Sequence, residues 1–374
     1  MHSLPSPSPV VRVTTGDGDT PAAVFVSVRP HVLGTGNPDR DAIVMPERGP
    51  LVDRYGRVHN DLRISVTDRC NLRCVYCMPE VGMTFQPRDA LLTFEEMTRV
   101  ARVARGLGVT ALRLTGGEPL VRKGLPILVR QLSALGFDDL ALTTNGMLLA
   151  PMVASLTDAG LKRVNISCDS LKPDRFNSIR RRGVLTTVLD AMDAAEAAGL
   201  TPLKLNVVIL RGQNDDEILD FAAYARDTGR VVRFIEFMPL DAQGKWDQSQ
   251  LVAGREIFDI ISARWPLKAL DNHGSAPAER FEFVDGRGEI GLISSVTQPF
   301  CGTCNRLRLT ADGAIRNCLF SDDEHSLRDL MRDGAGDDVI ALELRRAVWQ
   351  KYPGHAINEP GFLSPTRSMS MIGG

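Results

Sequence analysis

Six short runs of β-branched and apolar residues recur between residues 62 and 237, with helical patterns between them. They read LRISVT (62–67), LRLT (112–115), LALTT (140–144), RVNISC (163–168), LKLNVVI (203–209) and VRFIEF (232–237). Among the intervening stretches, TFEEMTRVARVARGLG places Thr93 and Glu96 at capping-box spacing, and VLTTVLDAMDAAEAAG closes on Gly199. Strand–helix alternation on this scale demands parallel strands joined by right-handed crossovers. Six units fall short of the usual eight-stranded closure. The expected fold is therefore α/β, an incomplete (β/α)6 barrel open on one side.

The rhythm also sets the domain plan. Residues 1–50 hold eight prolines with Gly, Ser and Asp and no sustained apolar period, which predicts a mobile tail with at most a short strand at AAVFVSV. Its acidic residues, Asp17 and Asp19, argue against a transit peptide. The barrel takes residues 51–245. Residues 246–374 form a smaller α+β region, opened by the strand-turn-strand pattern RFEFVDGRGEIGLISS and ending in SMSMIGG. A net charge of −2 provides no basic field for nucleic acid, and no run of eighteen apolar residues predicts a membrane span. The expectation is a cytoplasmic protein that binds neither nucleic acid nor membrane.

Seven cysteines are an odd number for a disulfide framework, and six of them fall into two tight groups. Cys70, Cys74 and Cys77 are spaced C-x3-C-x2-C; Cys301, Cys304 and Cys318 are spaced C-x2-C-x13-C. Cys168, the seventh, is expected to pack as a small buried hydrophobe. Structural zinc closes its shell with four protein ligands, and neither group has an evident fourth. Iron–sulfur clusters also take thiolates, and three of them leave one iron open to a ligand that is not protein. Zinc remains the alternative at both sites. Arg306 and Arg308 follow the second group and alternate along a predicted strand, so they share a face suited to clamping an anion.

CNLRCVYC matches the CxxxCxxC signature of radical S-adenosylmethionine (SAM) enzymes, and LTGGEPL at 114–120 resembles their Gly-Gly-Glu-Pro segment. With RFIEFMPL, GEIGLISSVTQPFCGTCNRLRLTADGAIRNCLF and the terminal Gly-Gly, residues 55–374 resemble the GTP 3′,8-cyclases, which begin molybdenum cofactor biosynthesis. The resemblance implies a radical SAM partial barrel whose C-terminal region carries a second cluster. It implies two [4Fe-4S] clusters with three Cys ligands each, SAM as cofactor, GTP as substrate and an electron donor. The ribose 3′ hydrogen is removed by a 5′-deoxyadenosyl radical and the sugar attacks guanine C8, giving 3′,8-cyclo-7,8-dihydro-GTP for a cyclic pyranopterin monophosphate synthase. A homodimer is left open.

Carried onto matching positions, the resemblance assigns Arg63, Arg113, Thr143, Lys204, Arg306 and Arg308 to GTP, and Tyr76, Gly117, Ser167 and Met238 to SAM. Arg306, Arg308, Gly373 and Gly374 are implied in catalysis, the last two as a tail entering the active site. Lys204 falls near the start of the fifth strand, away from the strand ends where the other polar residues gather. Two rivals stand beside this reading: a two-cluster peptide-modifying maturase, and a metal or electron-transfer protein with no substrate chemistry.

Overall fold

The computed structural model describes residues 44–374 except 241–243, 245, 272–273, 361 and 374. The expected strand at AAVFVSV, most of the expected tail and Gly374 therefore lie outside the described residues. Among the described residues twelve strands form one sheet: β1 (Asp61–Ser65), β2 (Ala111–Thr115), β3 (Asp139–Thr144), β4 (Arg163–Ser167), β5 (Lys204–Ile209), β6 (Val231–Glu236), β7 (Leu267–Ala269), β8 (Glu279–Phe283), β9 (Glu289–Ile293), β10 (Arg306–Leu309), β11 (Ala314–Arg316) and β12 (His325–Ser326). The helices are α1 (Phe94–Gly106), α2 (Leu125–Ser133), α3 (Val153–Asp158), α4 (Pro173–Arg180), α5 (Leu185–Ala197), α6 (Ile218–Thr228), α7 (Gly254–Arg264), α8 (Leu327–Arg332), α9 (Asp337–Trp349) and α10 (Met369–Ile372).

The six expected strands are β1–β6, parallel and adjacent in chain order. Two later strands widen this set, because β10 joins β1 and β9 joins β6, both in parallel. Hairpins β10–β11 and β8–β9 then carry the sheet outward in antiparallel pairing. In the strand order β10 and β9 are not neighbours, so the barrel stays open between them. Pairing between segments that are not consecutive in the chain leaves no local signature, which is why β1–β6 are legible in the sequence and the flanking pairings are not.

Alternation along the strands divides the molecule into two environments. Leu62, Ile64, Leu112, Leu114, Leu142, Ile166, Leu205, Phe234 and Leu307 are at most 1% exposed and belong to one continuous core with residues of α1, α2, α5 and α6. Each such side chain contributes roughly 1.5–3 kcal/mol by burial. The residues between them, among them Arg63, Arg113, Thr143, Asn206, Arg233 and Arg308, line the barrel interior. In α1 the capping box forms as its spacing predicts, with Thr93 Oγ1 accepting from Glu96 N at 3.1 Å and Glu96 Oε2 accepting from Thr93 N at 2.7 Å. Arg332 of α8 pairs with Glu96 at 2.8 Å, and Arg99 with Asp337 of α9 at 2.7 Å, so the last long helices fold back onto α1.

Candidate functional site

The loop from Cys70 to Cys77 leaves the C-terminal end of β1 and is fixed by its neighbours rather than by its own secondary structure. The N–H groups of Arg73 and Val75 donate to the carbonyls of Arg180 (3.2 Å) and Ile179 (3.0 Å), which belong to the otherwise unpaired end of α4. Arg181 then takes a left-handed φ of +58°, ending the helix without a glycine. Cys70 Sγ accepts from Leu72 N at 3.4 Å, and Cys74 Sγ accepts from Arg180 Nη1 at 3.6 Å. From the C-terminal tail, the Ser370 backbone N–H donates to Cys77. Burial pushes the Cys70 thiol up to about 12 and raises Cys74 and Cys77 as well.

Gly116 and Gly117 hold the end of β2 against this loop. A Cβ on Gly117 would lie 2.4 Å from the Arg69 carbonyl oxygen, and one on Gly116 would lie 2.7 Å from that of Thr67. Gly117 N and Glu118 N donate to the Thr67 and Arg69 carbonyls at 2.7 and 2.8 Å. The absence of a side chain at Gly117 thus serves the contact between cysteine loop and strand end, in addition to lining the cavity. Glu118 ties the same turn to β3 by accepting from Thr144 Oγ1 and Asn145 N, both at 2.7 Å.

The second cysteine group is made by the β10–β11 hairpin. Cys301 and Cys304 lie on the turn entering β10, the thirteen residues between Cys304 and Cys318 form the hairpin, and Cys318 returns just past β11. Lys351 Nζ donates to Cys304 Sγ at 3.3 Å and to the Arg306 carbonyl at 2.8 Å. Against the effect of burial, Arg306 and Lys351 pull the Cys304 thiol down to about 6.

Both groups face one cavity of about 310 Å³. It is lined by all six cysteines and by Tyr76, Gly117, Ser167 and Met238, together with Arg63, Arg113, Thr143, Arg306 and Arg308. Among the described residues no three His, Cys, Asp or Glu side chains gather as a site for a single metal ion. The thiols bound a space rather than a point, and each group has one buried cation hydrogen-bonded to its middle cysteine. Three sulfur donors, room beside them and a compensating charge fit a cluster bound through three irons. All seven cysteines are free thiols, and Cys168 is fully buried with Sγ donating to the Ser170 carbonyl at 3.2 Å, as its packing role requires.

In the same cavity the interior is a wall of cations set by strand register. Arg308, Arg63 and Arg113 are Cα partners across β10, β1 and β2, so three guanidiniums stand in one row. Arg233 of β6 is not in this row; it is paired with Asn206 of β5 and donates to its Oδ1 at 2.9 Å. Burial, followed by the other arginines, drives Arg308 and Arg233 well below the usual guanidinium range and lowers Arg63 and Arg113. The Nε groups of Arg63 and Arg113 are buried without a hydrogen-bond partner. Crowded, desolvated and under-partnered cations have the chemistry to take an anion.

Lys204 stands apart. As the first residue of β5 it lines a second cavity of about 260 Å³ at the opposite end of the strands, which shares Arg63, Arg113 and Arg233 with the first. The two cavities therefore meet at the guanidinium wall, and Lys204 faces that wall from below. Arg233 and Arg163 are absent from the expected site residues. The alternation in VRFIEF and RVNISC, which puts Arg233 and Arg163 at inward positions, is the signal that could have found them.

The tail is fastened beside the wall. Arg367 makes two hydrogen bonds to Asp312 at 2.9 Å, Met369 N donates to the Leu240 carbonyl at 3.0 Å, and Arg308 Nη1 donates to the Gly373 carbonyl.

A family model described as Radical SAM superfamily matches residues 64–225, and one described as Molybdenum Cofactor Synthesis C matches residues 230–357. The chain is 47% identical over 348 residues to GTP 3′,8-cyclase of Corynebacterium glutamicum strain ATCC 13032, covering 89% of this chain and 92% of that one. It is 46% identical over 330 residues to the Rhodopirellula baltica GTP 3′,8-cyclase (87% and 92% covered) and 49% identical over 326 residues to that of Moorella thermoacetica (87% and 100% covered). Among solved structures, Streptococcus suis SuiB bound to S-adenosylmethionine superposes with a TM-score of 0.57 at 13% identity, covering 84% of this chain and 77% of that one. That last likeness is one of fold. By sequence, the chain belongs to the GTP 3′,8-cyclase family of the radical SAM superfamily.

Proposed function

We propose that this protein converts GTP to 3′,8-cyclo-7,8-dihydro-GTP, the first step of molybdenum cofactor biosynthesis, in a cavity shared by two clusters. The observation that carries this reading is a cation wall lining the same cavity as two three-cysteine groups. Cys70, Cys74 and Cys77 would hold a [4Fe-4S] cluster that, with SAM bound, supplies the radical that removes the ribose 3′ hydrogen before attack on guanine C8. Tyr76, Gly117, Ser167 and Met238 border that end and would seat SAM. Cys301, Cys304 and Cys318 would hold a second [4Fe-4S] cluster facing the guanine.

The protein's own contribution is to bind, orient and neutralise. Arg63, Arg113, Arg306 and Arg308, extended by Arg233 and Lys204, supply the positive charge that a triphosphate requires, without needing to give up a proton. Thr143 adds a hydroxyl on the same interior face. Gly373 reaches this wall through Arg308 and would close the cavity from the tail side. An external one-electron donor and a cyclic pyranopterin monophosphate synthase acting on the product complete the proposed setting, in the cytoplasm. Among the described residues no helix is long and apolar enough to cross a membrane.

Iron, sulfide and zinc per chain after anaerobic reconstitution test the reading. About eight irons with matching sulfide, and conversion of GTP in the presence of SAM and reductant, support it. About four irons with one zinc would make the second site structural and defeat it.

A further inference from the structure

We propose that Arg180 and Asp169 act as a matched pair that sets the reduction potential of the cluster on Cys70, Cys74 and Cys77. Arg180 is 3% exposed and Asp169 1%, and neither lies among the residues assigned to SAM or GTP. Arg180 Nη1 donates to Cys74 Sγ at 3.6 Å, while its Nη2 lies 2.7 Å from Asp169 Oδ2. The pair is held rigidly. Asp169 Oδ2 accepts a hydrogen bond from Tyr76 OH at 2.7 Å, and its Oδ1 from Val208 N at 3.0 Å. Arg180 is pinned through its backbone, because its carbonyl accepts from Arg73 N inside the cysteine loop and the chain turns away through the left-handed Arg181. A helix end docked on the loop, with its last side chain turned to the middle thiol, fixes one cation beside one sulfur.

A cation that donates to a cluster sulfur stabilises the more negative, reduced form and raises the potential. A carboxylate 2.7 Å from that cation cancels most of its field and lowers the potential again. The arrangement at the other cysteine group differs. Lys351 donates to Cys304 but makes no ion pair among the described residues. The compensated cation thus sits at the site that has to deliver an electron to SAM, where a low potential is needed. In the couple concerned, one electron from an external low-potential donor enters the cluster, with no protein bond made or broken. Arg180 and Asp169 are positioning residues acting through Cys74.

The test is an EPR-monitored redox titration of the reconstituted full chain, with dithionite or titanium(III) citrate as donor, on the wild type, Arg180→Gln, Arg180→Lys and Asp169→Asn. Arg180→Gln should lower the midpoint by at least a tenfold change in the reduction equilibrium, which is 59 mV for one electron. Asp169→Asn should raise it, and Arg180→Lys should stay nearer the wild type than Arg180→Gln. The signal to follow is the one perturbed by added SAM, so the measurement stands whether the chain binds one cluster or two, and a failure of the two-cluster reading shows separately as a missing second signal. Shifts of the same sign in Arg180→Gln and Asp169→Asn, or an unmoved midpoint at wild-type iron and sulfide content, overturn the proposal. Should Arg180→Gln fail to assemble its cluster, Asp169→Asn decides: a full cluster with a midpoint unmoved or lowered overturns it.

Discussion

Arg308 donates a hydrogen bond to the carbonyl of Gly373, joining a guanidinium of the cation wall to the end of the chain. Gly373 has φ +75°, and a Cβ there would lie 2.5 Å from Thr115 Oγ1 and 3.1 Å from Ser65 Cβ. Both the backbone and the space exclude a side chain, at a cost of order 1–3 kcal/mol if one is forced in. Gly373→Ala is therefore expected to displace the tail rather than unfold the barrel. GTP turnover should fall by about tenfold or more, equivalent to about 1.4 kcal/mol in the barrier, with the melting temperature nearly unchanged. Steady-state assays beside thermal melting decide this, and wild-type turnover in the alanine variant would refute it.

Lys204 faces Arg233, Arg163 and Arg113, and burial together with these cations lowers its amine to about 8. It is charged at pH 7 and largely neutral at pH 9, so its help to an anion is present below about pH 8 and lost above. GTP affinity should weaken as pH rises through that value, beyond any change in the phosphates, which are fully ionised there. Lys204→Arg starts from a higher range than an amine and should move the loss to higher pH. Calorimetric binding between about pH 7.5 and 8.5, below the range of Arg113, which burial and Arg63 lower to about 9, checks it on both proteins; identical profiles would remove Lys204 from the site.

The cation wall also implies a conflict between function and stability. Arg63, Arg113, Arg233 and Arg308 are each lowered by burial and by other arginines, so the ligand-free fold carries their mutual repulsion. Replacing Arg63 by Met removes one desolvated charge of similar length. Expected results are a higher melting temperature without ligand and GTP binding weaker by about 1.5–3 kcal/mol, the worth of a hydrogen bond to a charged group. A lower melting temperature would mean that Arg63 is a structural cation.

Where the sequence was legible, strict local periodicity was the reason. The runs from LRISVT to VRFIEF became β1–β6 within one or two residues at each end, and Thr93 caps α1 through the spacing that announced it. The six grouped cysteines and most carried-over residues meet at one cavity because they lie at inward positions or just past strand ends. Illegible were relations between distant segments. Nothing local tells that β9 and β10 flank the barrel, that α4 ends on the cysteine loop, or that Gly117 is small because of the Arg69 carbonyl. Arg233 was missed for another reason: its alternation with Val232 and Phe234 was visible, but a lone arginine in a strand is ordinarily a solvated charge.

A final expectation concerns pH and the fold itself. His59 is 1% exposed, with Nε2 donating to Asp53 Oδ2 at 2.9 Å and Nδ1 without a partner. Burial, aided by the charges of Lys351 and Arg57, outweighs the pull of Asp53 and lowers the imidazole to about 4. The folded state thus resists a proton that the unfolded chain accepts near pH 6.5, so the contribution is whole above pH 6.5 and lost as pH falls toward 4. Linkage puts the loss at about 2 kcal/mol by pH 5. Asp53, held below its ordinary value by His59 and Arg57 despite burial, gives way only at lower pH, outside this window. His355 is also pushed down by burial and adds in the same sense, so the share of His59 must be read as a difference. His59→Asn should be less stable than the wild type at pH 7.5, and the gap should narrow by about that amount at pH 5. Urea unfolding at both pH values measures it, and a gap that stays constant would show that His59 takes its proton as readily in the folded protein as in the unfolded chain.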